Sequence, residues 1–101
     1  MSSVKLIMQW NIRAGREESY FEFITQQFPA QLMKSGVQLS DAWYTLYGDW
    51  PQVMMGFVVE DLDTLQEFLK SETWTQLLGR LRFYISDYHH KAVPARNRFQ
   101  M

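Results

Sequence analysis

Three stretches of this chain are apolar on both alternating faces, and only two helical segments are available to cover them. The stretches are Val4 to Ile12, Val37 to Tyr47 and Gln52 to Glu60. In the first, Val4, Leu6, Met8, Trp10 and Ile12 alternate with Lys5, Ile7, Gln9 and Asn11, the period-two pattern of a pleated strand. The second is expected to place Val37, Leu39, Asp41, Trp43, Thr45 and Tyr47 on one face, with Ala42, Tyr44 and Leu46 on the other. The third sets Val53, Met55, Phe57 and Val59 against Met54, Gly56 and Val58. Gly48-Asp49-Trp50-Pro51 between the second and third is a turn signal, so these two are expected to form an antiparallel hairpin.

The helical segments follow from spacing and punctuation. Tyr20, Phe21, Ile24 and Phe28 recur at helical intervals behind Glu17 and Glu18, which favour the positive end of a helix dipole. Pro29 is expected to kink or interrupt that helix, which resumes through Leu32 and Met33 until Ser35-Gly36 stops it. Asp63, with Gln66 three residues on, reads as the cap of a short helix through Leu65, Phe68 and Leu69, and Ser71 as a second cap. From there Trp74, Leu77, Leu78, Leu81, Ile85 and Tyr88 predict one long final helix, and Arg98 to Met101 a short edge strand.

The order strand, helix, strand, strand, helix predicts an α+β protein of ferredoxin-like, split βαβ type with an antiparallel sheet, in a single domain spanning residues 1–101. Both helices of such a layout lie on one face, leaving a row such as Ile7, Tyr44, Leu46, Met54 and Val58 uncovered. A patch on the order of 500 Å² is at the upper end of what monomers expose, so a homodimer closed through the sheet face is expected.

Composition excludes several classes. With 47% hydrophobic and 21% charged residues the chain is globular, and no apolar run approaches the ~20 residues of a membrane span. The N-terminal residues lack the basic stretch and apolar run of a signal peptide, so a cytoplasmic protein is expected. There is no cysteine, which rules out thiol catalysis, disulfides and thiolate metal sites. The net charge of −1 is unevenly spread: Arg80, Arg82, Lys91, Arg96 and Arg98 face a single acid, Asp87, in the last part, leaving the first 79 residues at −5. Such asymmetry marks either an anionic ligand or acidic partner surface, or basic side chains complementing a helix C-terminus. The basic residues are too dispersed for nucleic-acid binding.

Candidate chemistry is sparse. His89 and His90 are adjacent and point in different directions, so with Asp87 they fall short of a metal-ligand pattern, and no metal or cofactor is expected; either histidine is a candidate base. Asp41, among apolar neighbours, is a third candidate base, since burial would raise its pKa. Trp10, Trp43 and Tyr47 combine flat apolar walls with polar tips, as the lining of a pocket for a compact apolar or aromatic ligand does. There is no GxSxG elbow, glycine-rich phosphate loop or GxGxxG.

The chain resembles the dimeric α+β barrel superfamily, which includes antibiotic-biosynthesis monooxygenase-like and NIPSNAP-like proteins. The resemblance rests on element order, on Ile12-Arg13-Ala14-Gly15-Arg16-Glu17-Glu18 at the first strand exit, and on the run Leu65 to Trp74 with its small residue, Ser71. Ala14 stands where the family often has proline, and Phe68 and Thr73 where many relatives carry histidine. Haem-degrading members pair a first-strand asparagine with a helical histidine and tryptophan; Asn11 and Trp74 match in type, but no histidine follows on the helix. The resemblance implies a homodimer acting as a cofactor-free oxygenase or isomerase, with Asp41, His89 or His90 as base and Trp10, Trp43 and Tyr47 shaping the pocket. A non-enzymatic ligand-binding module, and an interaction domain whose cavity is filled by its own aromatics, remain open on the same residues.

Overall fold

The computed structural model describes residues 3–47 and 50–94; for 43–47, 50 and 51 it describes the backbone only. The elements are β1 (Val4–Ile12), α1 (Glu17–Gln26), α2 (Phe28–Lys34), β2 (Val37–Tyr47), β3 (Trp50–Val59), α3 (Leu62–Lys70), α4 (Glu72–Leu81) and β4 (Ile85–Pro94). They build one antiparallel four-stranded sheet in the order β2-β3-β1-β4, which is the ferredoxin-like arrangement expected.

β1 is paired on both edges and organises the core. Its burial alternates strictly, with Val4, Leu6, Met8, Trp10 and Ile12 inside and Lys5, Ile7, Gln9 and Asn11 half-buried on the other face. The inside residues meet Val53, Phe57 and Val59 of β3 and the helical stripe of Tyr20, Phe23, Ile24, Phe28, Leu32, Leu65, Phe68, Trp74, Leu77 and Leu81 in one cluster. All the helices therefore cover one face of the sheet, and the other face stays open.

The helix boundaries follow local chemistry. Pro29 sits at the second position of α2, where its missing N–H costs nothing, and the chain breaks at Gln27 between α1 and α2 as expected. Ser71 caps α4, its Oγ accepting from the Trp74 N–H at 3.1 Å. The cap of α3 is Asp61 instead of Asp63: its carboxylate accepts the Thr64 N–H at 2.8 Å, a hydrogen bond that lowers its pKa.

Two β-bulges overturn parts of the sequence reading. In β2, Leu39 pairs with Phe57 but Asp41 with Gly56, so Ser40 is an extra residue, and its hydroxyl donates to the Gly56 carbonyl at 3.0 Å. The shift carries Asp41 off the face of Leu39, and it brings Tyr44 and Leu46 into register with Val53 and Pro51 rather than with Met54. The uncovered row therefore keeps Ile7, Met54 and Val58 but loses those two positions. In β4, Asp87 and Tyr88 together oppose Trp10, and Asp87 adopts a left-handed φ of 56°. The extra residue sets Ile85 and Tyr88 three apart on the helix-covered side, which imitates helical spacing. The expected long final helix therefore ends at Leu81, and the fourth strand is Ile85–Pro94. The edge strand expected at Arg98 to Met101 lies outside the described residues.

Gly56 is where the sheet is most sensitive. A Cβ there would stand 2.4 Å from Asp41 Oδ1 and 2.8 Å from Lys5 Cε. Gly56→Ala is expected to lower unfolding stability by about 1–3 kcal/mol through overpacking. Urea denaturation of Gly56→Ala, Asp41→Ala and the double variant checks this: the double variant should recover part of the loss, and strict additivity would show that the two sites do not touch.

Candidate functional site

Three places gather the residues with chemistry. The first is the open face of the sheet. Here Asp41 reaches across Gly56 of the intervening strand to Lys5, whose Nζ donates to Oδ2 at 3.0 Å. The other carboxylate oxygen, Oδ1, is buried and has no hydrogen-bond partner. Farther along the face, the Asn11 amide donates to Asp87 Oδ2 at 3.0 Å, and His89 Nε2 lies 2.9 Å from Gln9 Oε1. His89 Nδ1 is 3.2 Å from the Asp87 carbonyl, so both ring nitrogens face an oxygen acceptor, and an imidazole with one N–H donates to one of the two.

The second place is the aromatic centre beneath β1 and β4. Trp10 is buried, donates from Nε1 to the Tyr20 hydroxyl at 3.0 Å, meets Phe28 edge-on and stacks on Tyr88 at 6.1 Å. Trp74 lies 6.3 Å from Tyr88 and 6.2 Å from Phe28. At its rim the Tyr88 hydroxyl lies 2.9 Å from His90 Nδ1. Burial pushes the Tyr88 phenol well above its usual range, the nearby Arg82 charge offsetting only part of this. Desolvation, followed by repulsion from His89, lowers His90. Both groups are held neutral, and the arrangement that uses both is a phenol donating to Nδ1 with the imidazole proton on Nε2. So placed, His90 keeps its N–H at Nε2 apart from the Tyr88 contact.

The third place is a groove between α2 and the edge strand β2, of about 420 Å³, lined by Pro29, Leu32, Met33, Val37, Gln38, Leu39 and Phe57. Met33 and Leu39 are 64% and 47% exposed, as Phe83 and Leu62 are elsewhere on the surface. The groove had no signature in the sequence: Leu39 read as one more alternating strand residue, and Met33 as the end of a helical stripe. The residue that joins them into a wall is the bulged Ser40, which leaves Leu39 on the helix side while Asp41 crosses to the other.

The candidate bases do not meet in one site. Asp41 and His89 lie on the open face, His90 borders the helix-covered face at the opposite edge strand, and none of the three lines the groove. Trp10 is packed in the aromatic centre. Trp43 and Tyr47 belong to β2, in register with Met54 and Trp50, and their side chains lie outside the described residues. Asn11 is committed to Asp87 on the open face while Trp74 is buried under the helices, so the pair that resembled a haem-degrading site is separated by the sheet. Among the described residues no three His, Asp or Glu side chains converge as metal ligands do, and no helix is long and apolar enough to cross a membrane.

No protein-family model and no curated protein matches the chain. Solved structures do. A NIPSNAP family protein from Agrobacterium tumefaciens superposes with a TM-score of 0.71 at 18% identity, covering 95% of this chain and 88% of that one. An uncharacterised NIPSNAP-like domain protein from Burkholderia xenovorans gives 0.73 at 13% identity, covering 99% and 90%. SnoaB from Streptomyces nogalater, a cofactor-independent oxygenase, gives 0.71 at 16% identity over 100% of both chains. The chain has the fold of these proteins. The resemblance read from element order is thus matched along the whole chain, at identities that speak to fold alone.

The depressed His90 pKa carries a signed consequence. Its contribution to stability is present above the unfolded value of 6.5 and is lost as the pH falls from there through the lower folded value. Thermal melts between about pH 5 and 8 should therefore show a loss of stability on the acid side that is smaller in His90→Gln, and the His90 Cε1 proton should titrate by NMR below 6.5.

Proposed function

We propose that the protein is a homodimer that binds a compact apolar or aromatic molecule in the groove between α2 and β2. The observation that carries this reading is the groove itself. Its volume of about 420 Å³ suits a small organic ligand, and six of its seven lining residues are apolar, Gln38 being the one polar contact. A molecule seated there would cover Met33 and Leu39, which the fold otherwise leaves to water.

The dimer is proposed through the open sheet face. Ile7, Met54, Val58 and Val93 are only half-covered there, and six of the polar residues among them are joined in the pairs Lys5–Asp41, Gln9–His89 and Asn11–Asp87, although Asp41 Oδ1 keeps no partner. Polar groups satisfied within their own chain lose less on burial than unpaired ones, so such a face tolerates a second copy.

Turnover is the second reading, and the full-length likeness to SnoaB favours it. In a cofactor-free oxygenation the substrate itself supplies the electrons: a methylene reacting with O₂ becomes a carbonyl, one oxygen entering the product and the other leaving as water. The protein's part is a dry pocket and a group that moves a proton. The groove provides an apolar but open surface in place of the first; the nearest chemistry to the second, the neutral Tyr88–His90 pair, lies at the opposite edge strand. This separation places ligand binding ahead of catalysis.

Native mass spectrometry with an uncharged apolar fluorophore, N-phenyl-1-naphthylamine, tests both parts. The wild type is expected as a dimer that takes up the fluorophore. Leu39→Arg should remain dimeric and bind at least about tenfold more weakly, whereas Ile7→Asp should be monomeric. A monomeric wild type would refute the dimer, and undiminished binding by Leu39→Arg would move the ligand out of the groove. Oxygen uptake with an electron-rich phenol or anthrone, abolished in His90→Gln, would establish the second reading.

A further inference from the structure

Two arginines of the basic last part of the sequence, Arg80 and Arg82, stand near two from the acidic first part, Arg13 and Arg16. Arg13 follows β1, Arg16 precedes α1, Arg80 lies in the last turn of α4 and Arg82 is its C-cap. The Arg13 N–H donates to the Tyr84 carbonyl at 2.8 Å and ties the two segments together. Three of the guanidinium groups lie over rings: Arg16 is 4.0 Å from the Phe83 centroid, Arg80 5.4 Å from Phe23 and Arg82 5.4 Å from Tyr88. Phe83 meets Tyr84 at 5.2 Å and Tyr84 meets Phe23 at 5.5 Å, so one run of rings joins the Arg16 and Arg80 positions, while Arg82 lies over Tyr88 of β4, outside that run.

Intramolecular pairing does not account for these charges. Among the described residues the one ion pair within 4.0 Å is Lys5–Asp41, on the open face. Glu17 and Glu18 are neighbours in sequence yet make none, Asp87 accepts from Asn11, and Arg80 donates to the Gln27 amide oxygen. A helix C-terminus attracts Arg80 and Arg82, but Arg13 and Arg16 stand at the start of α1, the positive end of a dipole, where no side chain caps the helix and a cation is disfavoured. A guanidinium offers a carboxylate a two-point geometry that lysine cannot.

We propose that this end of the molecule docks an acidic segment of another protein, with Arg16, Arg80 and Arg82 each taking a carboxylate and Arg13 at the margin. Of the four only Arg80 borders a described cavity, a polar niche shared with Gln31, Thr73, Gln76 and Leu77. Four donors spread over an open surface suit a chain carrying several carboxylates, more than a single small anion can reach.

Fluorescence anisotropy with a labelled ten-residue peptide of alternating Glu and Gly, at an ionic strength of about 0.05 M, tests the assignment. Wild type is expected to bind, and the Gln-for-Glu peptide not to. The triple variant Arg16→Gln/Arg80→Gln/Arg82→Gln should weaken binding at least about tenfold. The triple Arg→Lys variant keeps the charge and the fold but loses the planar fork, and it should be weakened as well. Absence of binding, equal affinity of the Lys variant, or displacement of the peptide by inorganic pyrophosphate at an equal or lower concentration would overturn the proposal, the last by revealing a small-anion site.

Discussion

Everything in this structure depends on one-sided burial of the central strand. β1 is hydrogen-bonded on both edges, and its even-numbered residues Val4, Leu6, Met8, Trp10 and Ile12 are the floor on which the helices stand. Period-two alternation then sends every odd-numbered residue to the opposite face, whatever its chemistry. Lys5, Gln9 and Asn11 consequently stand beside Ile7 on an uncovered surface, and each polar one finds a partner from an adjoining or next-but-one strand. The open face is thus a product of covering the other.

The sequence reads well where the chain is regular. Strict alternation in β1, the break at Pro29, the Ser71 cap and the antiparallel pairing of β2 with β3 all follow from local chemistry, although Trp50 and Pro51, read as turn residues, belong to β3. It reads badly at two inserted residues. Ser40 flips the parity of half a strand, and Asp87 converts a strand's two-residue spacing into a helix-like three. Periodicity is blind to a bulge because the extra residue is absorbed by the backbone: in one case by a side-chain hydrogen bond to Gly56, in the other by a left-handed φ. Gly56 itself read as an isolated glycine; that it makes room for Asp41 to cross a strand is a tertiary fact. Asp41, His89 and His90 were visible as candidate bases by residue type, whereas their separation by the sheet was not.

That separation shapes the functional reading. A groove lined almost wholly by apolar side chains would hold a ligand by exclusion of water, with Gln38 as its one polar residue. The fold shared with SnoaB and with NIPSNAP proteins does not by itself fix an activity, so the activity must be argued from the site. Here the site argues for binding first. The arginine surface lies outside the groove, so ligand and partner would occupy different parts of the molecule.

The most direct test is amide chemical-shift mapping of the isotope-labelled protein titrated with naphthalene. Saturable shifts confined to Leu32 through Leu39 and to Phe57 are the predicted result. Shifts centred instead on Asp41 and His89, or none at all, would contradict a ligand site between α2 and β2.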